Sequence, residues 1–599
     1  MRNRILTLFF FGVLAVMAGC QKSETPETGN EKPATGILTG VSVKLEPETT
    51  ATTATFSYSI DLGVSADVPF EYVLRYSVSE SLSGQTTQTV RLKVEENSYT
   101  VTGLQFDRKY YYELQLDLYG SRYSVSQGSF TTKPVSVGMD EPEETPEGLV
   151  LSGKVNGLSI EDKAEIKAVL HMTGDGLLEE YMLPLELEED FSFRASVGDL
   201  DIASVYEYWV VASQGKIKSV SGEKGSYRTA DPYKESEKAL SSENAADLSA
   251  SGAANCYVVP DSGLYKFKLV KGNSSESVGA VESVRVLWES FGTDVKPSAF
   301  ELISATSKDG DYAVFEVPQD QEFKEGNAVI AAYDAQDNIL WSWHIWLTAD
   351  SISGETYYVS SNGAFTDEVA GVVMDRNLGA LSKDVNSVEA YGLFYQWGRK
   401  DPYLGSANAA GTAFAVSTRS LRVAIVDASM QTIDYTVANP HVFLVGNSRK
   451  DWIGEKNNTL WTNSTKTKYD PCPPGWRIPD GGTGVNNVQA GLWAKIGMSP
   501  YGLTPMPASW QSGWKGMMFP VSKTGYSSWY PVAGGIGLDA ALKLVGIDGT
   551  YWTASAIGGS HEYVYAMNFY FTNSTTDYYA FCSAEIPRAT GNSVRCCKE

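Results

Sequence analysis

The residues with the widest chemical repertoire are few and scattered. Six cysteines stand at Cys20, Cys256, Cys472, Cys582, Cys596 and Cys597, and four histidines at His171, His344, His441 and His561. No histidine lies within seven residues of another, which removes HExxH and every His-rich metal motif. The sequence holds no CxxC, GxSxG, Walker loop or GxGxxG. Gly481-Gly482-Thr483-Gly484 lacks a following lysine and reads as a loop, not a phosphate cradle. The paired carboxylates of a glycoside hydrolase meet in space rather than in sequence, and among 72 acidic residues finding some pair means little. The expectation is a non-enzyme with no catalytic residue, no metal and no cofactor.

The side chains best suited to hold a ligand are aromatic. Trp510 and Trp514 stand in PASWQSGWKG, and Trp529 and Tyr530 in GYSSWYPVAGG. An aromatic ring among Gly, Ser and Pro offers contact area at low entropic cost and can stack on a sugar ring or a protein surface. These four are the candidate ligand-binding residues. The competing expectation is that the rings pack beneath their own loops.

The elements that must position them can be read from composition and periodicity. The chain has 599 residues, of which 48 are basic and 72 acidic, for a net charge of −24. That sign repels phosphate backbones and argues against a nucleic-acid partner. At roughly 150 residues per domain the length suits about four domains. The 34 Tyr, 14 Trp and 55 Gly favour β-sheet over helical bundles.

At the start, Arg2 and Arg4 precede an apolar run, Ile5 to Ala18, that falls short of the ~20 residues a membrane span needs but suits a signal peptide. Gly19-Cys20 follows. This pattern resembles the lipobox of bacterial lipoproteins, which implies a signal peptide over 1–19, acylation of Cys20 and an outer-membrane location at the cell surface. Residues 20–36 are rich in Glu, Thr, Pro and Gly and read as a solvated tether.

Period-two alternation then predicts strands. Phe56, Tyr58 and Ile60 alternate with Ser and Thr, as do Tyr110, Tyr112, Leu114 and Leu116 with polar residues. Leu104 stands six residues before Tyr110, and Leu200 six before Tyr206; Gly128-Ser129-Phe130 and Gly225-Ser226-Tyr227 close the two segments alike. A shared offset across two landmarks marks a domain repeat. Residues 37–133 and 148–231 resemble fibronectin type III domains, which implies sandwiches with a tyrosine bonded to nearby backbone at one corner. The acidic, Pro-rich stretch 134–147 between them reads as a linker.

Residues 236–356 read as a third, sandwich-like β domain. Its last strand, ILWSWHIWL from Ile339, is apolar almost throughout, so it should be covered on both faces, with His344 a core residue. Cys256 is expected as a buried free thiol. The segment resembles a module found in Bacteroidota surface lipoproteins, a resemblance that implies no activity.

Five landmarks follow in order: Met374-Asp375-Arg376-Asn377-Leu378-Gly379-Ala380, YGLFYQWGRKDPY from Tyr391, CPPGWRIP from Cys472, GTYWTAS from Gly549, and Ser593-Val594-Arg595-Cys596. Together they resemble the FISUMP domain, the major paralogous domain first described in Fibrobacter, which is similar in fold to C-type lectin domains. The resemblance implies an α+β domain over 357–599 stapled by Cys472 and Cys596. Closing so long a loop is worth roughly 4–5 kcal/mol on chain-entropy grounds. Cys597 adjoins Cys596, so either could take the pairing, and Cys582 is left over. Trp476 and Trp552 are expected in the core. Asp375 and Asn377 have the i, i+2 spacing of a calcium loop without its later ligands, and a turn is expected instead. The EPN, QPD and WND tripeptides of calcium-dependent lectins do not occur.

The expectation is thus a multi-domain, mainly β protein anchored by lipid, presenting a lectin-like head for a glycan or a surface protein. Two alternatives stand beside it: a structural or tip subunit of a pilus-like fibre, and a polysaccharide-utilisation enzyme or its non-catalytic helper.

Overall fold

The computed structural model describes residues 42–599 apart from 62–69, 94, 119, 146–147, 175–179, 199, 236–237, 362, 420–421, 427–430, 447–449, 483–490, 499–508, 512–515, 558–562 and 572–577. Cys20 and the stretches expected as signal peptide and tether lie outside the described residues. Strands dominate, and no helix among the described residues is long and apolar enough to cross a membrane. The chain divides into two compact units, residues 1–135 with 157–166, and residues 136–156 with 167–599.

The first unit is a two-sheet sandwich. Ser42–Thr49, Ala54–Asp61 and Ser98–Val101 form one sheet; Gln88–Leu92, Phe70–Ser77, Lys109–Leu118 and Ser121–Thr131 form the other. The alternation read along Lys109–Leu118 is the alternation of burial: Tyr110, Tyr112, Leu114 and Leu116 point inward against Phe56, Tyr72 and Leu74. At the corner, the Tyr110 hydroxyl accepts from the Gln105 backbone N–H at 2.9 Å. Residues 157–166 belong to this unit through Asp162. Its buried carboxylate accepts from the Thr52 N–H at 2.7 Å, the Thr50 hydroxyl at 2.7 Å and the Ser159 N–H at 2.9 Å. Those hydrogen bonds outweigh desolvation and hold its pKa below the ordinary value.

The second unit opens with another sandwich. Lys167–Gly174, Tyr181–Leu185, Val205–Gln214, Lys218–Ser221 and Gly225–Arg228 build one sheet. Gly148–Asn156 and Ser192–Val197 build the other. The repeat extends to individual hydrogen bonds. Tyr206 accepts from the Asp201 N–H at 2.9 Å as Tyr110 does from Gln105, and Thr229 donates to the Asp201 carbonyl as Thr132 does to that of Gln105. One expectation is corrected here. The stretch 134–147 is not a free linker: Ser136–Met139 and Glu143–Thr145 both pair antiparallel with Gly148–Asn156. Its acidic side chains stand on the solvent side of an edge, where charge discourages further pairing.

The third β segment is a sandwich of two four-stranded sheets, Ala246–Asp247, Gly263–Lys268, Tyr312–Val317 and Ala305–Asp309 facing Cys256–Val259, Ile339–Leu347, Gly326–Tyr333 and Ser283–Ser290. Ile339–Leu347 is covered on both faces. Trp341, Trp343, Ile345 and Leu347 fill the sandwich interior, whereas Trp346 points the other way, into a core shared with residues 374–596. His344 is buried, its Nε2 2.9 Å from Asn327 Oδ1, and burial drops its pKa to about 3, so the ring is neutral. Cys256 is a buried free thiol.

Segments 236–356 and 357–599 each have a buried cluster of their own and share a third. Trp346 Nε1 donates to the Ala380 carbonyl at 3.1 Å and Asn327 Nδ2 to that of Gly379 at 3.0 Å. Ser342 Oγ donates to Asp401 at 2.7 Å, beside the buried Lys400 ammonium. The described helices of the C-terminal segment are short, Val388–Ala390, Ile433–Ala438 and Leu492–Lys495, so strands and loops carry it.

Candidate functional site

The five sequence landmarks meet in one core. Met374, Leu378, Tyr395, Trp397, Cys472, Trp476, Trp552 and Val594 belong to a single buried cluster. The indoles are tied to backbone: Trp397 Nε1 donates to Thr553 O at 2.9 Å, and Trp552 Nε1 to Tyr395 O at 2.6 Å. Cys472 is bonded to Cys596, which leaves Cys582 and Cys597 as buried free thiols. Asp470 sits beside this staple, accepting from the backbone N–H groups of Cys472 and Ile478, each at 2.9 Å. Burial, partly countered by Lys466, pushes its carboxyl up to about 6.

Asp375 and Asn377 hold protein groups. Asp375 pairs with Arg376 at 3.0 Å, and Asn377 Oδ1 accepts from Arg595 Nε at 3.0 Å. No cluster of His, Cys, Asp and Glu fit to hold a metal occurs among the described residues.

The sequence-predicted aromatics are not brought together on a surface. Tyr530 is fully buried and Trp529 only 8% exposed, because Ser527–Pro531 is a strand inside the head. Tyr530 shares a 2.7 Å hydroxyl contact with Tyr357, and its ring lies 3.8 Å beneath the Arg595 guanidinium. Trp529 lies across Gly516, where a Cβ would stand 2.1 Å from its ring; only glycine allows that approach. Both are corrected to core residues. The flanking Ser527 and Ser528 lie in that strand, which pairs with Gly516–Pro520. Trp510 lies in strand Ser509–Gln511 with its side chain outside the described residues, and Trp514 lies outside them altogether.

A different face of the head carries a built groove. Asp548–Ala556, Tyr563–Phe571 and Tyr578–Pro587 are adjacent antiparallel strands. On one side of this sheet Trp552 pairs with Ala566 and both enter the core. Two and four residues further along the same side, Thr550 stands opposite Asn568 and Asp548 opposite Tyr570. A register shift between Ala566 and Asn568 sets Phe581 opposite Asn568 and Tyr579 opposite Tyr570. One face thus passes from sealed core to an open patch of aromatic and polar side chains.

Tyr570 stacks on Tyr579 at 5.3 Å between ring centroids and on Phe581 at 5.9 Å. Tyr579 and Phe581 are only 6.4 Å from each other, so both lie on the same side of Tyr570. Tyr570 also lines a groove of about 510 Å³. The rim is apolar, with Ile586, Pro587, Leu544 (57% exposed) and Ile547 (45% exposed). The floor is polar. Asp548 accepts from the Thr550 hydroxyl at 2.7 Å and from Asn568 Nδ2 at 2.9 Å, and Asn592 Nδ2 donates to Thr590 at 2.9 Å. Desolvation raises the Asp548 carboxyl, and the Asn568 hydrogen bond only partly offsets it. Gly535 keeps space over the Asn592 carbonyl oxygen, which a Cβ there would approach to 2.7 Å. A ring face backed by two further rings, beside fixed oxygens, can stack on an apolar ring and accept hydrogen bonds from hydroxyls.

None of these groove residues stood out in the sequence. The usable signal was the alternation of Asn568 and Tyr570 with the inward Met567 and Phe569, repeated by Tyr579 and Phe581 around Ala580.

No known family matches the chain, and no curated protein does. Among solved structures, it is similar to the alpha chain of the chicken interferon gamma receptor, at 8% identity and a TM-score of 0.17, over 32% of this chain and 98% of that one. It is also similar to a two-domain fibronectin type III segment of chicken tenascin, at 13% identity and a TM-score of 0.16, over 32% of this chain and 98% of that one. A third is a fibronectin type III domain of human collagen XX, at 18% identity and a TM-score of 0.13, over 15% of this chain and 86% of that one.

Proposed function

We propose that this is a lipid-anchored cell-surface protein whose C-terminal head binds a glycan in the groove beside Tyr570. The observation that carries the reading is the supported tyrosine face beside the polar floor of Asp548, Asn568 and Asn592. A sugar presents the matching surfaces, an apolar ring face and a belt of hydroxyls. The remaining parts of the reading rest on sequence. Gly19-Cys20 supports acylation and outer-membrane anchoring, the five landmarks support a FISUMP head of lectin-like fold, and the N-terminal sandwiches act as fibronectin-like spacers.

The test is a glycan array probed with the full chain and with Tyr570→Ala, each first shown folded by thermal melting. Glycan signals lost in the variant support the reading, and an array blank for both refutes it. Anchoring is tested separately: Cys20→Ala should release the protein from the membrane fraction, and unchanged membrane association would refute acylation.

A second reading, a protein ligand, is favoured by the exposed Leu544 and Ile547 on the rim. It predicts that Leu544→Asp abolishes capture of a surface protein while glycans leave the groove untouched.

A further inference from the structure

Which glycans the groove would accept depends on the charges and hydrogen-bonding roles along its walls. The basic side chain among the described lining residues is Lys543, and its ammonium is held 2.6 Å from Asp539. No arginine lines the groove among those residues. Asp548 puts a carboxyl in the floor, within a chain of net charge −24. A uronate or sulfate laid there would meet a carboxyl without a free cation to pair with, at a cost in both desolvation and repulsion.

The floor also has a hydrogen-bonding polarity. The amide N–H groups of Asn568 are spent on Asp548 and on the Thr550 hydroxyl at 2.8 Å. One N–H of Asn592 Nδ2 goes to Thr590, and the Thr550 hydroxyl proton to Asp548. Most of these donors are turned inward to one another, which leaves oxygens of Asp548, Asn568 and Asn592 as acceptors. Asn568, Asn592 and Thr550 are each more than nine-tenths buried, so their orientations are fixed by packing. An acceptor-rich floor wants a ligand that donates, and a hydroxyl is the donor that brings no charge.

From the pairing of Lys543 with Asp539, the inward-turned donors and the stacking face of Tyr570, we infer that the ligand is an uncharged oligosaccharide, selected against acidic glycans. The inference rests on the glycan reading of the head. The experiment is titration calorimetry of the full chain with three probe sets: neutral hexasaccharides of glucose, mannose and xylose; oligogalacturonate and heparin hexasaccharides; and chitosan hexasaccharide. Binding of a neutral probe is expected, with an affinity that changes less than about twofold over a tenfold rise in salt. Tyr570→Ala should weaken it at least about tenfold, and Tyr570→Phe, which keeps the ring, should retain it. Preference for an acidic or cationic probe, lost in Tyr570→Ala, overturns the charge selectivity and leaves the glycan reading standing. Neutral binding that survives Tyr570→Ala overturns the inference by placing the site elsewhere. No binding to any probe by a folded chain brings down the glycan reading and this inference together.

Discussion

Trp346 tests whether the third sandwich and the head unfold as one body. Its side chain is fully buried in the core that holds Trp397, Trp552 and Cys596, yet its strand belongs to the sandwich. Trp346→Ala removes a ring from that shared core, a change worth about 3–5 kcal/mol. It also strips the Ala380 carbonyl of its 3.1 Å donor, worth about 1 kcal/mol more. Against a typical stability of about 5–15 kcal/mol this is a large fraction. Hydrogen exchange read by mass spectrometry would follow Gly326–Tyr333 in the sandwich and Phe394–Gln396 and Gly591–Ser593 in the head. A loss of about 3 kcal/mol shared by one cooperative body should speed exchange by more than about 100-fold in all three. If the sandwich strand accelerates and both head strands keep their protection, the two segments open independently and the shared-core argument fails.

Three further outcomes are expected. Asp470 holds its proton up to about pH 6 when folded and to about 4 when unfolded, so the unfolded chain releases it first and stability falls as pH rises between those values. The drop is on the order of 3 kcal/mol. Urea denaturation at several pH values should show this slope reduced in Asp470→Asn, and an identical slope would contradict the assignment. Replacing Cys472 and Cys596 together by Ala should lower head stability by up to about 5 kcal/mol, read as a shift in the urea midpoint. Asp162→Ala leaves the backbone N–H groups of Ala51 and Thr52 without their acceptor and should cost the first unit about 2–4 kcal/mol, visible as a lower melting temperature.

Much of the architecture is legible because strands write their burial in alternation. Tyr110 to Leu116 shows this directly, and ILWSWHIWL announces a strand with no solvent face. The corner tyrosines could be matched across the repeat because the six-residue spacing from leucine to tyrosine is itself set by the turn. Other features lie beyond local pattern. Stretch 134–147 looked like a linker because an edge strand needs few apolar residues, and its partner Gly148–Asn156 supplies the burial. Trp529 and Tyr530 misled because glycine and serine beside an aromatic mean either a mobile loop or a backbone pressed against a ring. Only the position of Gly516 separates the two. The groove was hidden for a further reason. Asn568 and Tyr570 share a side with Val564 and Ala566, and nothing local tells where along that side the core stops.

The scatter of the landmarks has a consequence for the order of synthesis. Met374, Trp397, Cys472, Trp552 and Cys596 fill one core, although more than two hundred residues separate the first from the last. As the chain emerges from the ribosome, the early members lack part of their packing until the last strands arrive. Trp346 shares that delay in part, since its cluster joins earlier residues such as Trp288 and Val329 to late ones such as Trp552 and Cys596. For that interval a tryptophan-rich stretch stands open to water, where it can meet other chains as readily as itself. The N-terminal sandwich has its own local core and can close early. The C-terminal half closes this core only once Val594 and Cys596 have been made.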